Sequence, residues 1–160
     1  MIPVTVDTIR ISLKSSERVV LLREAEQERQ LPIFIHATEA DAIAAELKSY
    51  HPARPLTHDL LKNTVDALEG VLQYVLINDL RENIFYAVLH IEHGERTVDV
   101  DARPSDSIAL AVRARCPIYV ADHVMEAAGV YPATEVESAQ ERQDLSVFRD
   151  FVETLDLGEG

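Results

Sequence analysis

Three acidic side chains and one arginine lie close together between residues 98 and 106. Alternate residues of a strand face the same side of a sheet, so Asp99, Asp101 and Arg103 are predicted to share one face. Asp106 follows at the predicted start of a helix, where backbone amides are free. Carboxylates so placed could hold Mg²⁺ or Mn²⁺, which activates water and screens a phosphodiester. The predicted metal ligands are therefore Asp99, Asp101 and Asp106, with Arg103 available to a phosphate oxygen.

The same residues also have a purely structural interpretation. Alternation of valine with aspartate over residues 98–101 is typical of any strand with one exposed face. Arg103 could neutralise Asp101, and Asp106 could serve only to stabilise the helix dipole. Residue spacing leaves both interpretations open.

A second group of reactive side chains lies between Arg54 and Lys62. Histidine is a common general base or acid, so His58 is a candidate for that role, with Asp59 beside it in the first turn of a predicted helix. Alternatively, His58 is a solvated residue next to a helix cap. Residues 48–62 carry a local positive charge, and Arg54, Lys62 and Arg103 are the predicted contacts to nucleic acid. The predicted catalytic residues are His58, Asp59, Asp101, Arg103 and Asp106.

Hydrophobic periodicity predicts an α+β fold that positions these groups. Thr38 and Thr57 are the predicted N-caps of the first two helices, and Pro104 opens a third. A bulge is predicted near Asp7 in the first strand, and residues 78–83 are predicted to form a hairpin loop. Valines 98 and 100 are predicted to face the core. Strands are predicted at residues 4–11, 18–23, 31–36, 71–77, 84–91, 96–103 and 117–120, and a fourth helix at residues 122–128.

The two central strands carry apolar residues on both parities, which requires cover on both faces of the sheet. The predicted sheet is mixed and mostly antiparallel, with helices packed on one face. Further strands or a subunit interface would cover the second face, so a homo-oligomer is predicted. Residues 1–131 are predicted to form the main domain. Residues 132–160 are predicted to form an acidic linker and a C-terminal amphipathic helix packed on that domain.

Composition restricts the partners and the compartment. The net charge of −13 repels phosphate backbones and gives no electrostatic footprint for nucleic acid. No apolar run approaches the roughly 20 residues of a membrane helix, so membrane binding is not expected. The single cysteine cannot form an internal disulfide, and residues 1–10 are not expected to be a signal peptide because they lack a basic start followed by an apolar stretch. A cytoplasmic location is predicted.

Several segments resemble the bifunctional nuclease domain family over roughly residues 1–130. These segments are LPIFIHATEADAIAAEL (31–47), RPLTHDLL (54–61), FYAVL (85–89) and VDARPSDSIALAVR (100–113). The resemblance implies nuclease activity on DNA and RNA, and His36 and Ser107 depart from the family pattern. A non-catalytic oligomeric module that binds a protein or a small anion is the alternative. The matching positions with reactive side chains are Glu39, Arg54, His58, Asp59, Asp101, Arg103, Ser105 and Asp106.

Overall fold

The structure is a computed structural model that describes residues 1–12 and 15–132. Residues 1–130 form one compact unit. The predicted acidic linker and C-terminal helix lie outside the described residues, apart from the start of the linker. The strands are β1 (Ile2–Ile11), β2 (Arg18–Glu24), β3 (Gln30–Ile35), β4 (Gly70–Arg81), β5 (Ile84–His93), β6 (Arg96–Ala102) and β7 (Ile118–Val120). The helices are α1 (Ala37–Leu47), α2 (Thr57–Ala67), α3 (Pro104–Ala114) and α4 (Asp122–Ala128).

All seven strands belong to one sheet, in the order β3-β2-β1-β7-β4-β5-β6. Every neighbouring pair is antiparallel except β4 and β7, which run parallel. Helix α3 therefore connects β6 to β7 by a crossover that passes over β5 and β4. The predicted α+β class with a mixed, mostly antiparallel sheet is confirmed.

The helices cover one face of the sheet. Val75 and Ile77 on β4 and Ala87 on β5 are fully buried on this face, and α3 packs against both strands. The opposite parity of the same strands, including Tyr74 and Val88, is only partly buried. No second sheet among the described residues lies over that face, so its cover by a subunit stays a prediction.

The hairpin between β4 and β5 is tighter than predicted. Its turn consists of Glu82 and Asn83 alone, with φ angles of 51° and 63°. The predicted six-residue loop over residues 78–83 was wrong, because β4 continues to Arg81 and pairs there with Ile84. Positive φ at both central residues matches the right-handed twist of the flanking strands, so a two-residue turn can join them.

Both predicted helix caps were wrong by one or two positions. The N-cap residues are His36 and Leu56, and neither uses its side chain as a cap. Instead, the backbone amide of Leu56 donates to an Asp59 carboxylate oxygen at 2.9 Å. The first turn of α2 is thus closed by its own aspartate, and Thr57 is the first helical residue.

The predicted burial of Val98 and Val100 was also wrong. Their side chains are 46% and 40% exposed, although the strand register places them on the helix-covered side of the sheet. Strand β6 is an edge strand, and neither α1 nor α2 packs closely against it. The space left between them is an open cleft.

Candidate active site

The cleft has a volume of about 1110 Å³ and lies between α1, α2, the end of β6 and the start of α3. Apolar side chains form most of its wall, and charged side chains cluster where α3 begins. Its lining residues are Thr38, Glu39, Asp41, Ala42, Ala45, Tyr50, Leu56, Thr57, His58, Leu60, Leu61, Thr64, Leu89, Val100, Asp101, Ala102, Arg103 and Asp106.

Four of these side chains form a continuous chain of hydrogen bonds, here called the cleft network. His58 Nε2 lies 2.9 Å from Asp106 Oδ1. The second oxygen of that carboxylate accepts from Arg103 Nε at 2.8 Å. Arg103 Nη2 then donates to Glu39 Oε1 at 3.0 Å. Asp106, from the sequence region singled out first, therefore contacts an imidazole that is distant in the chain.

Three helix N-termini bring the network together. Glu39, His58 and Asp106 each lie in the first turn of α1, α2 and α3, and Arg103 is the N-cap residue of α3. Pro104 follows Arg103 at the first helical position, where its missing amide proton costs no hydrogen bond. The positive ends of three helix dipoles favour the two carboxylates at this point. The chain topology, more than any local motif, creates the site.

Ionic contacts perturb two groups of the network. Burial raises the pKa of Asp106, but the hydrogen bonds from Arg103 and His58 outweigh burial and hold the pKa below its ordinary value. The hydrogen bonds from Arg103 to Asp106 and to Glu39 raise the pKa of Arg103. Asp106 is therefore ionised at neutral pH and can only accept hydrogen bonds.

The ionised Asp106 fixes the tautomer of His58. Because the carboxylate has no proton to donate, His58 Nε2 must carry the hydrogen, and neutral His58 then has Nδ1 as its acceptor. The His58 side chain is only 9% exposed. The alternative interpretation of His58 as a solvated residue next to a cap is thus wrong.

Asp99 and Asp101 share one face of β6, as predicted, but that face points away from the helices. Asp99 accepts a hydrogen bond from His90 Nδ1 at 2.6 Å, outside the cleft. Asp101 reaches the cleft lining at the edge of the strand. The described residues contain no group of three or more His, Cys, Asp or Glu side chains that could hold a metal ion. The structure therefore does not bring together the three predicted ligands Asp99, Asp101 and Asp106.

Asp59 lies outside the cleft lining and has a structural partner. Its Oδ1 accepts from Arg113 Nε at 2.6 Å. Arg113 also donates to the carbonyl oxygens of Ala109 and Ala42 at 2.8 and 3.0 Å. The Arg113 side chain, only 3% exposed, thereby joins α3 to both α1 and α2, next to His58.

The predicted nucleic-acid contacts do not converge. Lys62 pairs with Asp66 one helical turn away, at 2.6 Å and outside the cleft. Arg54 is exposed and does not line the cleft either. Of the three predicted cations, only Arg103 lies at the cleft network.

Comparisons with known proteins identify the family to which the chain belongs. The model of the bifunctional nuclease domain matches residues 20–133. An uncharacterised protein of Mycobacterium tuberculosis is 40% identical over 151 residues, which covers 92% of this chain and 90% of that protein. Bifunctional nuclease 2 of Oryza sativa subsp. japonica is 31% identical over 106 residues, and bifunctional nuclease 1 of Oryza sativa subsp. indica is 28% identical over 105. Each rice match covers 64% of this chain and 32% of the rice protein.

The fold and the site define an α+β domain whose cleft holds a histidine, an arginine and two carboxylates at converging helix N-termini. The chain belongs to the bifunctional nuclease domain family, as the match over residues 20–133 shows. No helix in the described part of the chain has the length and apolar character needed to cross a membrane.

Proposed function

We propose that this chain is a nuclease that hydrolyses phosphodiester bonds of DNA and RNA at the cleft network. The observation that carries the proposal is the contact of His58 with Asp106, within a network that also holds Arg103. The names of the rice relatives support nuclease chemistry for the family. An oriented imidazole beside a guanidinium is a combination suited to proton transfer at a phosphate.

In this proposal His58 acts as the general base. Asp106 holds the ring through Nε2, and Nδ1 accepts the proton of the attacking water. Oriented acid–base groups of this kind contribute about 10²–10⁴ in rate. Asp106 stabilises the imidazolium that forms, because its carboxylate is ionised and stays in contact with the ring.

Arg103 is the proposed phosphate contact. Its Nε and Nη2 donate to the two carboxylates of the network, and no described contact uses Nη1. Its side chain is 57% exposed, so this nitrogen can reach a ligand in the cleft. Glu39 and Asp106 hold the guanidinium in one orientation, which favours a directed contact.

A metal-assisted reaction was predicted from three carboxylates that the structure does not bring together. The residues around Asp106 do not fit a metal ion with three protein ligands, and the proposed steps use none. A requirement for Mg²⁺ or Mn²⁺ stays a separate prediction. Assays in EDTA and in each metal test it.

The second candidate is a non-catalytic binding module. The cleft lining contains four carboxylates and one guanidinium, and the whole chain carries −13. Such a surface attracts cations and weakens contact with a polyanion. This candidate predicts specific ligand binding without cleavage.

Cleavage of plasmid DNA and of single-stranded RNA by the purified chain distinguishes the two candidates. His58→Ala is expected to lower the rate by about 10²–10⁴, while circular dichroism stays unchanged. The matched control His93→Ala removes an exposed histidine outside the cleft and should keep the wild-type rate. Equal rates for wild type and His58→Ala, or no cleavage above a mock purification, would refute the nuclease.

Two further expectations accompany the proposal. A homo-oligomer is expected because the helix-free face of the sheet is only partly buried. Sedimentation velocity at micromolar concentration measures the mass, and a monomer would contradict the expectation. A cytoplasmic location is expected for a nuclease with one cysteine, and cell fractionation tests it.

A further inference from the structure

The cleft borders the unpaired edge of a strand. Strand β6 pairs with β5 on one side only and ends the sheet. The consecutive residues Val100, Asp101 and Ala102 all line the cleft, although their side chains alternate between the two sheet faces. The cleft therefore opens onto the edge of β6. At such an edge every second residue directs its amide and carbonyl groups away from the sheet.

An apolar wall runs opposite this edge. The wall and the edge together, here called the β6 groove, consist of Val100 and Ala102 on β6, Leu56, Leu60 and Leu61 along α2, and Tyr50 after α1. Leu60 is 59% exposed and Tyr50 is 63% exposed. Large apolar side chains grouped around a concave surface mark binding sites more often than isolated ones do.

The negative charge around the β6 groove favours a cationic ligand. Asp101 at the strand edge and Asp41 on α1 add two carboxylates to those of the cleft network, against the single guanidinium of Arg103. A second copy of this chain would place its own β6, with Asp99 and Asp101, against the first. A cationic segment meets no such repulsion. The charge therefore disfavours self-association through this edge.

We propose that the β6 groove binds an extended basic segment of a partner protein, which adds to the sheet as an eighth strand beside β6. Backbone hydrogen bonds to the β6 edge give affinity, and the groove accepts apolar side chains at alternate positions of the segment. Lysine or arginine at the intervening positions meets the surrounding carboxylates. The inference goes beyond the proposed nuclease and does not rest on it.

The test begins with a library of random peptides of about twelve residues, longer than a typical strand, displayed on phage and selected on the full chain. Enriched sequences should alternate apolar with basic residues. A synthetic peptide of the enriched sequence is then titrated by fluorescence anisotropy. Hydrogen exchange should slow at β6 amides when this peptide is bound, and should not slow at the other sheet edge, β3.

Two matched valine substitutions assign the site. Val100→Lys places a positive charge in the groove and should weaken binding of the basic peptide by roughly tenfold. Val71→Lys introduces the same residue at a position that is 57% exposed outside the cleft, and should leave binding unchanged. Circular dichroism of both variants confirms that they are folded.

Three outcomes would overturn the proposal. One is the absence of any enriched peptide, and another is equal binding of the enriched peptide by Val100→Lys and Val71→Lys. The third is a wild-type dimer in sedimentation velocity that Val100→Lys, but not Val71→Lys, converts to monomer, because a second copy would then occupy the edge. None of these measurements uses cleavage, so the nuclease proposal can fail or succeed separately.

Discussion

Arg113 does not line the cleft, but its loss should lower the free energy of unfolding strongly. It lies near the end of α3, donates to Asp59 at 2.6 Å and reaches the Ala42 carbonyl oxygen of α1. Replacement with methionine keeps much of the side-chain volume and removes the charge and all the donors. The test substitution is therefore Arg113→Met.

The contacts of Arg113 set the expected loss. Removing one partner of a buried ion pair costs about 3–5 kcal/mol, because the other charge stays behind without compensation. Here Asp59 is 28% exposed and keeps its hydrogen bond from the Leu56 amide, which favours the lower end. We expect a loss of about 3 kcal/mol in the free energy of unfolding, which for a chain of this size corresponds to a fall in Tm of roughly 6–12 °C.

Thermal and urea unfolding, followed by circular dichroism, measure the effect. Arg115→Met is the matched control, because this arginine is exposed just beyond the same helix. A double-mutant cycle with Asp59→Asn should give a coupling energy of about 1–3 kcal/mol. A loss of unfolding free energy below about 1 kcal/mol for Arg113→Met, equal to that of the control, would refute the stabilising role of the buried Arg113 contacts.

Protonation of Asp106 should destabilise the fold at acidic pH. The pKa of Asp106 in the folded state lies below the ordinary 3.8, so the ionised carboxylate stabilises the fold at higher pH. This contribution is lost as the pH falls below about 4. Asp106→Asn should flatten that part of the pH profile of unfolding free energy, and an unchanged slope would contradict the assignment. Gly129→Ala should lower the free energy of unfolding, measured in urea, by roughly 1–3 kcal/mol, because the new Cβ would lie 2.5 Å from the Met125 carbonyl oxygen. A variant as stable as the wild type would contradict this prediction. Burial raises the pKa of Cys116 to about 11, so iodoacetamide should modify it about a hundredfold more slowly in the folded chain than in denaturant, as mass spectrometry can measure.

The regular elements were predictable wherever local pattern and tertiary packing agree. The bulge in β1, between Val6 and Thr8, was predicted from a change of parity and is confirmed. The predicted mixed character of the sheet is confirmed by the parallel pairing of β7 with β4. The burial of Val98 and Val100 was predicted wrongly, because alternation indicates which residues share a face but not whether anything packs on it.

The candidate site was predictable only in part. His58, Arg103 and Asp106 were singled out by residue type, and the structure joins them. Their contact depends on the packing of α2 against α3, which no short sequence spacing encodes. Glu39 was named only among the positions that match the family, because an acid in a first helical turn suits a dipole and capping role equally well. Its partner Arg103 lies 64 positions away.

Arg113 was missed because it follows the apolar run at residues 108–112 and looks like an ordinary basic residue at a helix C-terminus. The usable signal was its place four residues after Ala109 and three after Leu110, since residues at these spacings share one side of a helix and a charged side chain among apolar ones needs a partner. Asp59 was assigned to chemistry for its place beside His58, and its contacts are structural.

The position of β7 determines when the sheet can be completed. In the described sheet β1 and β4 are not hydrogen-bonded neighbours, and the three residues Ile118–Val120 of β7 lie between them and pair with both. On the ribosome, the hydrogen bonding that joins the meander of β1 to β3 with that of β4 to β6 therefore forms only after this late segment has left the exit tunnel. A nascent chain halted before Ile118 would expose two complementary edges, where chaperones or neighbouring nascent chains could pair.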